Sequence, residues 1–132
     1  MQATKTQDRS PRRLLIVIPE QEGESALERR LDEAGRGFEV IGRAYSETQA
    51  LQRYFQSAPD VVVLDCDVVP EEPARLVGLL KRMAPGSCIV ALVSAMDSMA
   101  ACAARALGAD AIGLLPELPD LLDRLLAGDA AY

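Results

Sequence analysis

The chain has 132 residues, a length that suits one domain with a full core. Its 20 Asp and Glu outnumber 14 Lys and Arg, for a formal net charge of −6. Apart from the pairs Arg12-Arg13, Arg29-Arg30 and Lys81-Arg82 the basic residues are scattered, which argues against direct nucleic-acid binding. The complete absence of histidine excludes His-ligated metal sites and Ser-His or Cys-His catalysis, and no apolar run reaches the length of a membrane span.

Residues 1–11 are polar and aperiodic and read as a loose tail. The first apolar run, Leu14 to Ile18, reads as a strand, followed by helical spacing in Ala26, Leu27 and Leu31 that Gly35 and Gly37 close. Phe38 to Ile41 is the second run. Ser46, three residues before Gln49, has the spacing of a capping box and opens a helix whose stripe is Ala50, Leu51, Tyr54 and Phe55. Val61 to Leu64 is the third run, and Leu76, Leu79 and Leu80 form the next helical stripe, ended by Pro85-Gly86. Cys88 to Val93 is the fourth strand. A fourth helix, Ser98 to Leu107, has the stripe Met99, Cys102, Ala103 and Ala106 and stops at Gly108. Ala111 to Leu115 is the fifth strand, and Leu121, Leu122, Leu125 and Leu126 mark the fifth helix.

Strict alternation of strand and helix predicts an α/β fold: a doubly wound five-stranded parallel sheet of flavodoxin-like order 2-1-3-4-5, with five helices. Within it, Pro59 to Asp65 carries the most information. The run is short, β-branched and apolar, as a strand buried on both faces must be, and it ends in a carboxylate. An acid there sits at the carboxyl edge of the sheet, where open α/β folds bind ligands. An ordinary strand followed by a helix-capping Asp is the alternative, and these residues alone leave both open. No glycine-rich phosphate loop follows the first strand, which argues against a nucleotide or flavin. Cys66, Cys88 and Cys102 are odd in number and lie in or near apolar segments, as reduced thiols of a cytosolic protein do. Cys66 reads as a small buried filler rather than a redox sensor.

Several pieces, weak singly but specific in order and spacing, carry a family resemblance. They are Gly37-Phe38-Glu39-Val40-Ile41-Gly42 followed by Ala50-Leu51, then Pro59 to Asp65, Ala91-Leu92-Val93-Ser94-Ala95, and Ala106-Leu107-Gly108-Ala109-Asp110-Ala111. Together they resemble the receiver (CheY-like) domain of bacterial two-component response regulators, in the NarL/FixJ (LuxR-type) subgroup. The resemblance covers Arg13 to Tyr132. It implies a receiver-like domain over residues 12–127, and 128–132 as the start of a linker to a DNA-binding output domain, because Leu125 to Tyr132 is similar to that junction. A stand-alone receiver is the alternative. It further implies a non-enzymatic, cytoplasmic bacterial signalling module in a phosphorelay that regulates transcription, with no membrane contact and no nucleic acid bound by this domain itself.

Carried over position by position, the resemblance makes Asp65 the phospho-acceptor and Ser94 a hydroxyl contact to the phosphoryl group. Receivers add a Mg²⁺ bound by two acids after the first strand, but this chain reads Ile18-Pro19-Glu20 there. In one registration Glu20 reaches the metal with Asp65 and the carbonyl of Asp67; in the other Glu20 is the acidic first turn of a helix. The lysine that receivers place before a proline at the end of the fifth strand is Leu115, ahead of Pro116, and their switching aromatic is Ile112. Ile18, Pro19, Ile112 and Leu115 are thus the degenerate positions. The expected function is an atypical receiver that regulates an output domain or partner by protein contact, largely without Asp phosphorylation. One alternative is a phospho-accepting receiver using Asp65, Mg²⁺ and a histidine kinase; another is a small-ligand sensor in the strand-end crevice. NarL-like receivers often associate through the first and fifth helices, or through the fourth helix, fifth strand and fifth helix. A homodimer contact is expected at Leu118, Leu122 and Leu125, and the outer part of the fourth helix is a further candidate surface.

Overall fold

The computed structural model describes residues 11–18, 27, 29–31, 37–66 and 74–127. Five strands, β1 (Arg12–Val17), β2 (Phe38–Ala44), β3 (Val61–Asp65), β4 (Cys88–Leu92) and β5 (Ala111–Gly113), form one all-parallel sheet in the order β2-β1-β3-β4-β5. Helix α1, described at Leu27 and residues 29–31, precedes β2. The others are α2 (Glu47–Ser57), α3 (Arg75–Met83), α4 (Met99–Ala106) and α5 (Leu118–Ala127). This is the architecture and strand order that the alternating pattern predicts. No helix among the described residues is long and apolar enough to cross a membrane.

The reason lies in the two faces of each strand. Side chains alternate along a strand, so a run that is apolar throughout must be covered on both sides. Leu15, Val17, Val62, Leu64, Ile89 and Ala91 pack one way, against Ala50 of α2, Leu76, Val77 and Leu80 of α3, and Ala101 and Ala104 of α4. Leu14, Ile16, Val61, Val63, Val90 and Leu92 pack the other way, against Leu27 of α1 and Leu118, Leu121 and Leu122 of α5. At about 25 cal/mol per Å² of apolar surface removed from water, these two layers are the main stabilising term.

Two aspartates set where strands begin. Asp60, one residue before β3, accepts the N–H of Arg13 on its carboxylate at 2.8 Å while its own N–H donates to the Arg13 carbonyl at 2.8 Å. Asp110, one residue before β5, does the same to Ile89 of β4, at 2.8 Å both ways. Each aspartate closes a two-bond ring with the neighbouring strand, which pins its start. Asp110 also holds the Lys81 ammonium at 3.0 Å, and that ammonium donates in addition to the Ser87 carbonyl at 2.8 Å.

The expected cap of α2 is present: the Ser46 hydroxyl accepts the Gln49 N–H at 3.2 Å. The Gln49 side chain returns to the N–H of Tyr45, at 2.9 Å, one residue earlier than a strict capping box places it. At its other end Ala58 takes φ 48°, a left-handed conformation unusual without glycine; the Arg13 guanidinium donates to the Ala58 carbonyl at 2.9 Å and holds the turn.

Two expectations are corrected. The fifth strand ends at Gly113 rather than Leu115, because Leu115–Glu117 turn into a 3₁₀ helix. The Leu114 N–H donates to the Glu117 carboxylate at 2.8 Å, the Glu117 N–H donates to the Leu114 carbonyl at 2.8 Å, and Pro116 has no N–H for a ladder. Helix α4 is turned from the expected stripe: Ala101 and Ala104 face the sheet, whereas Met99 and Cys102 project outward. An alanine-rich helix offers little contrast in hydrophobicity, so its inward face is set by close approach to the sheet.

Candidate functional site

The site follows from strand register. Val17 pairs with Leu64, Asp65 with Leu92, and Leu92 with Gly113. One step beyond Val17, Ile18 comes level with Asp65. Alternation then places Ile18, Asp65, Leu92 and, two residues further, Ser94 on the face that α1 and α5 cover. A crevice of about 170 Å³ opens at these strand ends. Asp65 and Ser94 are its polar groups among the described lining residues; Ile18, Leu27, Leu92, Val93 and Leu115 form aliphatic walls.

Asp65 is half-buried and Ser94 exposed, so both reach the opening. Ile18 and Leu27 are buried, and Leu115 is half-buried and packs on the same layer. The core beneath α1 and α5 thus continues without a break up to the carboxylate. Leu115 follows the Gly113–Leu114 turn that Glu117 fastens through its carboxylate and its N–H, so its position is set by that turn rather than by the crevice itself. Gly113 is required close by: a β-carbon there would stand 2.7 Å from Leu121 Cδ1 and 2.9 Å from Glu117 Oε1.

Asp65, Ser94, Ile18 and Leu115 line the same crevice. Pro19, Glu20 and Asp67 lie outside the described residues, so of the expected magnesium ligands Asp65 alone is placed. Among the described residues no three metal-ligating side chains gather into one group. Lys81 is tied to Ser87 and Asp110 at the opposite, amino-terminal edge of the sheet. Leu27 is a wall that the sequence did not single out: its helical stripe marks it as core, and nothing local reveals that α1 leans over the strand ends.

The expected association residues need correction. Leu118 and Leu122 are fully buried against the sheet and present no surface. With Leu121 and the half-buried Leu125 they form a single inward stripe at i, i+3, i+4 and i+7, so this part of α5 is committed to the core. Exposed large apolar side chains lie elsewhere: Met99 of α4 is 88% exposed, and Phe55 of α2, Met83 of α3, Met96 and Leu107 are exposed as well. Met96 and the half-buried Ile112 border a shallow depression with Glu117, Asp120, Leu121 and Arg124 of the α5 side.

The thiols are unalike. Cys66 is buried, and Cys102 is exposed on α4. Cys88, at the amino end of β4, is half-buried; burial, reinforced by the Asp110 carboxylate, pushes its thiol up to about 11 although Lys81 and Arg12 pull the other way.

No family model matches the chain, and no curated protein matches it. Solved structures do. The signal receiver domain of the response regulator NarL from Mycobacterium tuberculosis superposes with a TM-score of 0.74 at 16% identity, over 92% of this chain and 97% of that one. The isolated receiver domain of RcsB from Salmonella enterica serovar Typhimurium, solved in the presence of the phosphomimetic BeF3−, gives 0.77 at 18% identity, over 90% and 91%. A two-component response regulator of the LuxR family from Aurantimonas gives 0.75 at 21% identity, over 92% and 86%. The chain therefore has the fold of CheY-like receiver domains, including those of NarL/LuxR type.

Proposed function

We propose that this chain is an atypical receiver module that regulates an output domain or a partner by protein contact, largely independently of aspartate phosphorylation. The observation that carries the reading is Leu115 in the crevice wall beside Asp65, where receivers of the resembling family hold lysine. Leucine has no charge with which to balance a transferred phosphoryl group or to report its arrival. Ile18 supports the same reading, because it brings aliphatic surface level with the acceptor where receivers place an acid. The contact surface in this proposal is the exposed methionine patch of α4 with Ile112 and the α5 rim, used for a second copy, for a DNA-binding output domain or for another cytoplasmic signalling protein. The module itself is not an enzyme and binds neither nucleic acid nor membrane.

One observation favours a second reading. Asp65 and Ser94 line the same crevice, which puts a carboxylate and a hydroxyl at one opening. A phospho-accepting receiver would then use a histidine kinase and Mg²⁺, with Glu20 and Asp67 completing the ligand set; Glu20→Ala should abolish metal binding in that case. The RcsB receiver domain, similar in fold, was solved in the presence of a phosphomimetic. The intact-protein mass after incubation with a small phosphodonor and Mg²⁺ separates the two readings. No adduct on folded protein is the expected result. An adduct that vanishes in Asp65→Asn, accompanied by a change in association state, would overturn the contact-based reading.

A further inference from the structure

We infer that the groove between α3 and α4 docks an acidic segment of a partner protein, which inserts one large apolar side chain between its carboxylates. The groove has a volume of about 260 Å³ and is lined by Arg75, Gly78, Leu79 and Arg82 of α3 and by Leu107, which caps α4. The four α3 residues recur at i, i+3, i+4 and i+7 and so share one face of the helix. The opposite face, with Leu76, Val77 and Leu80, is fully buried in the core.

Three observations give the chemistry of the occupant. The floor is apolar, with Leu79 half-buried and Leu107 exposed, so an apolar side chain laid between them leaves water. Gly78 makes the notch: a β-carbon there would stand 3.2 Å from Leu107 Cδ2, and a larger residue would push Leu107 aside and fill the space. The rim is cationic. Arg82 is exposed in the last turn of α3, two turns from Arg75, which Glu47 holds at 3.1 Å. The described lining holds no acid, although acids outnumber bases 20 to 14 in the chain. The fork of the Arg82 guanidinium suits a carboxylate, whereas a basic segment would meet like charge. The volume is below the roughly 300–1,000 Å³ of pockets that enclose whole small molecules, which suits a single large side chain.

The inference goes beyond the contact-based reading by adding a second contact face and stating the chemistry that it takes. It uses neither Asp65 nor the flank of Met96 and Ile112, so its failure leaves that reading standing.

The test is fluorescence anisotropy of a labelled, capped hexapeptide, two leucines between pairs of glutamate, titrated with the full chain at low ionic strength. Two control peptides replace the leucines by serine or the glutamates by lysine. The net charge of −6 by itself favours the lysine peptide, so preference for the glutamate peptide is a property of the groove. Saturable binding of the glutamate–leucine peptide is expected, about tenfold tighter than the serine control and about threefold or more tighter than the lysine control. Arg82→Glu should weaken it about threefold or more and strengthen binding of the lysine peptide. Leu107→Ser should erase the advantage of leucine over serine. Equal binding of the leucine and serine peptides to the natural chain would overturn the inference, as would unchanged affinity in Arg82→Glu. Should Leu107→Ser fail to fold, the Arg82→Glu comparison decides alone.

Discussion

Asp60 and Asp110 show what a single residue does in this molecule. Each stands one position before a strand and closes a ring of two hydrogen bonds with the neighbouring strand. Removing the Asp110 carboxylate leaves the Ile89 N–H and the Lys81 ammonium without this acceptor in a partly buried place. Asp110→Ala should therefore lower stability by about 1.5–3 kcal/mol, read as an earlier midpoint in urea at unchanged slope. Cys88 lies beside that pair, and its pH dependence has a definite sign. Because the folded thiol titrates near 11 and the unfolded one near 9.0, the proton is held more tightly in the folded state. The associated stability is complete below pH 9 and is lost as pH rises towards 11. Denaturation midpoints measured from pH 8 to 11 should fall more steeply in the natural chain than in Cys88→Ala. Alkylation at neutral pH should label exposed Cys102 well before Cys88.

At the scale of the element, the segment after β5 is the most constrained piece of the site. The Leu114–Glu117 ring fixes the 3₁₀ turn, and Leu121 of α5 closes over Gly113. Gly113→Ala should cost about 1–3 kcal/mol, because a buried leucine and a hydrogen-bonded carboxylate must both give way. The same change should displace Leu115 and so alter ligand or partner responses before the protein unfolds. Helix α5 illustrates how much of an element is legible in its own residues. Its leucine spacing marks an amphipathic helix, and that helix is present; Leu118, Leu121 and Leu122, however, are covered by the sheet. Leu122→Ala should accordingly reduce stability by about 2–5 kcal/mol in a cooperative transition, whether or not the protein associates. Helix α4 is the converse. Its alanines conceal which side faces in, and only packing against β4 and β5 leaves Met99 outside.

At the scale of the whole molecule, the described residues form two apolar layers, one on each face of the sheet. Since Met99 is 88% exposed, Met99→Ser should change stability by no more than about 0.5 kcal/mol. If self-association uses the α4 flank, the same substitution should shift the sedimentation profile towards monomer; an unchanged profile with an associated natural protein would place the contact elsewhere. Paired with Leu122→Ala, this experiment separates loss of a contact surface from loss of the fold.

Fold class, strand order and the place of Asp65 at a strand end are all legible in the residues alone. Those features are written in local signals: apolar runs with period two or none, stripes with period near four, glycine and proline between them, and the handedness of parallel crossovers. Local signals also placed Ser94 and Ile18 just past their strands, but put Leu115 on a strand that stops at Gly113. Tertiary structure alone decided which of these residues share a cavity, because that depends on register between strands far apart in the chain. It also decided that Leu27 closes the crevice, that Leu118 and Leu122 are core rather than surface, and that Lys81 is bound at the far edge. A leucine stripe states only that a helix has an apolar face. What covers that face is fixed by the three-dimensional neighbour, and here the neighbour is the chain's own sheet.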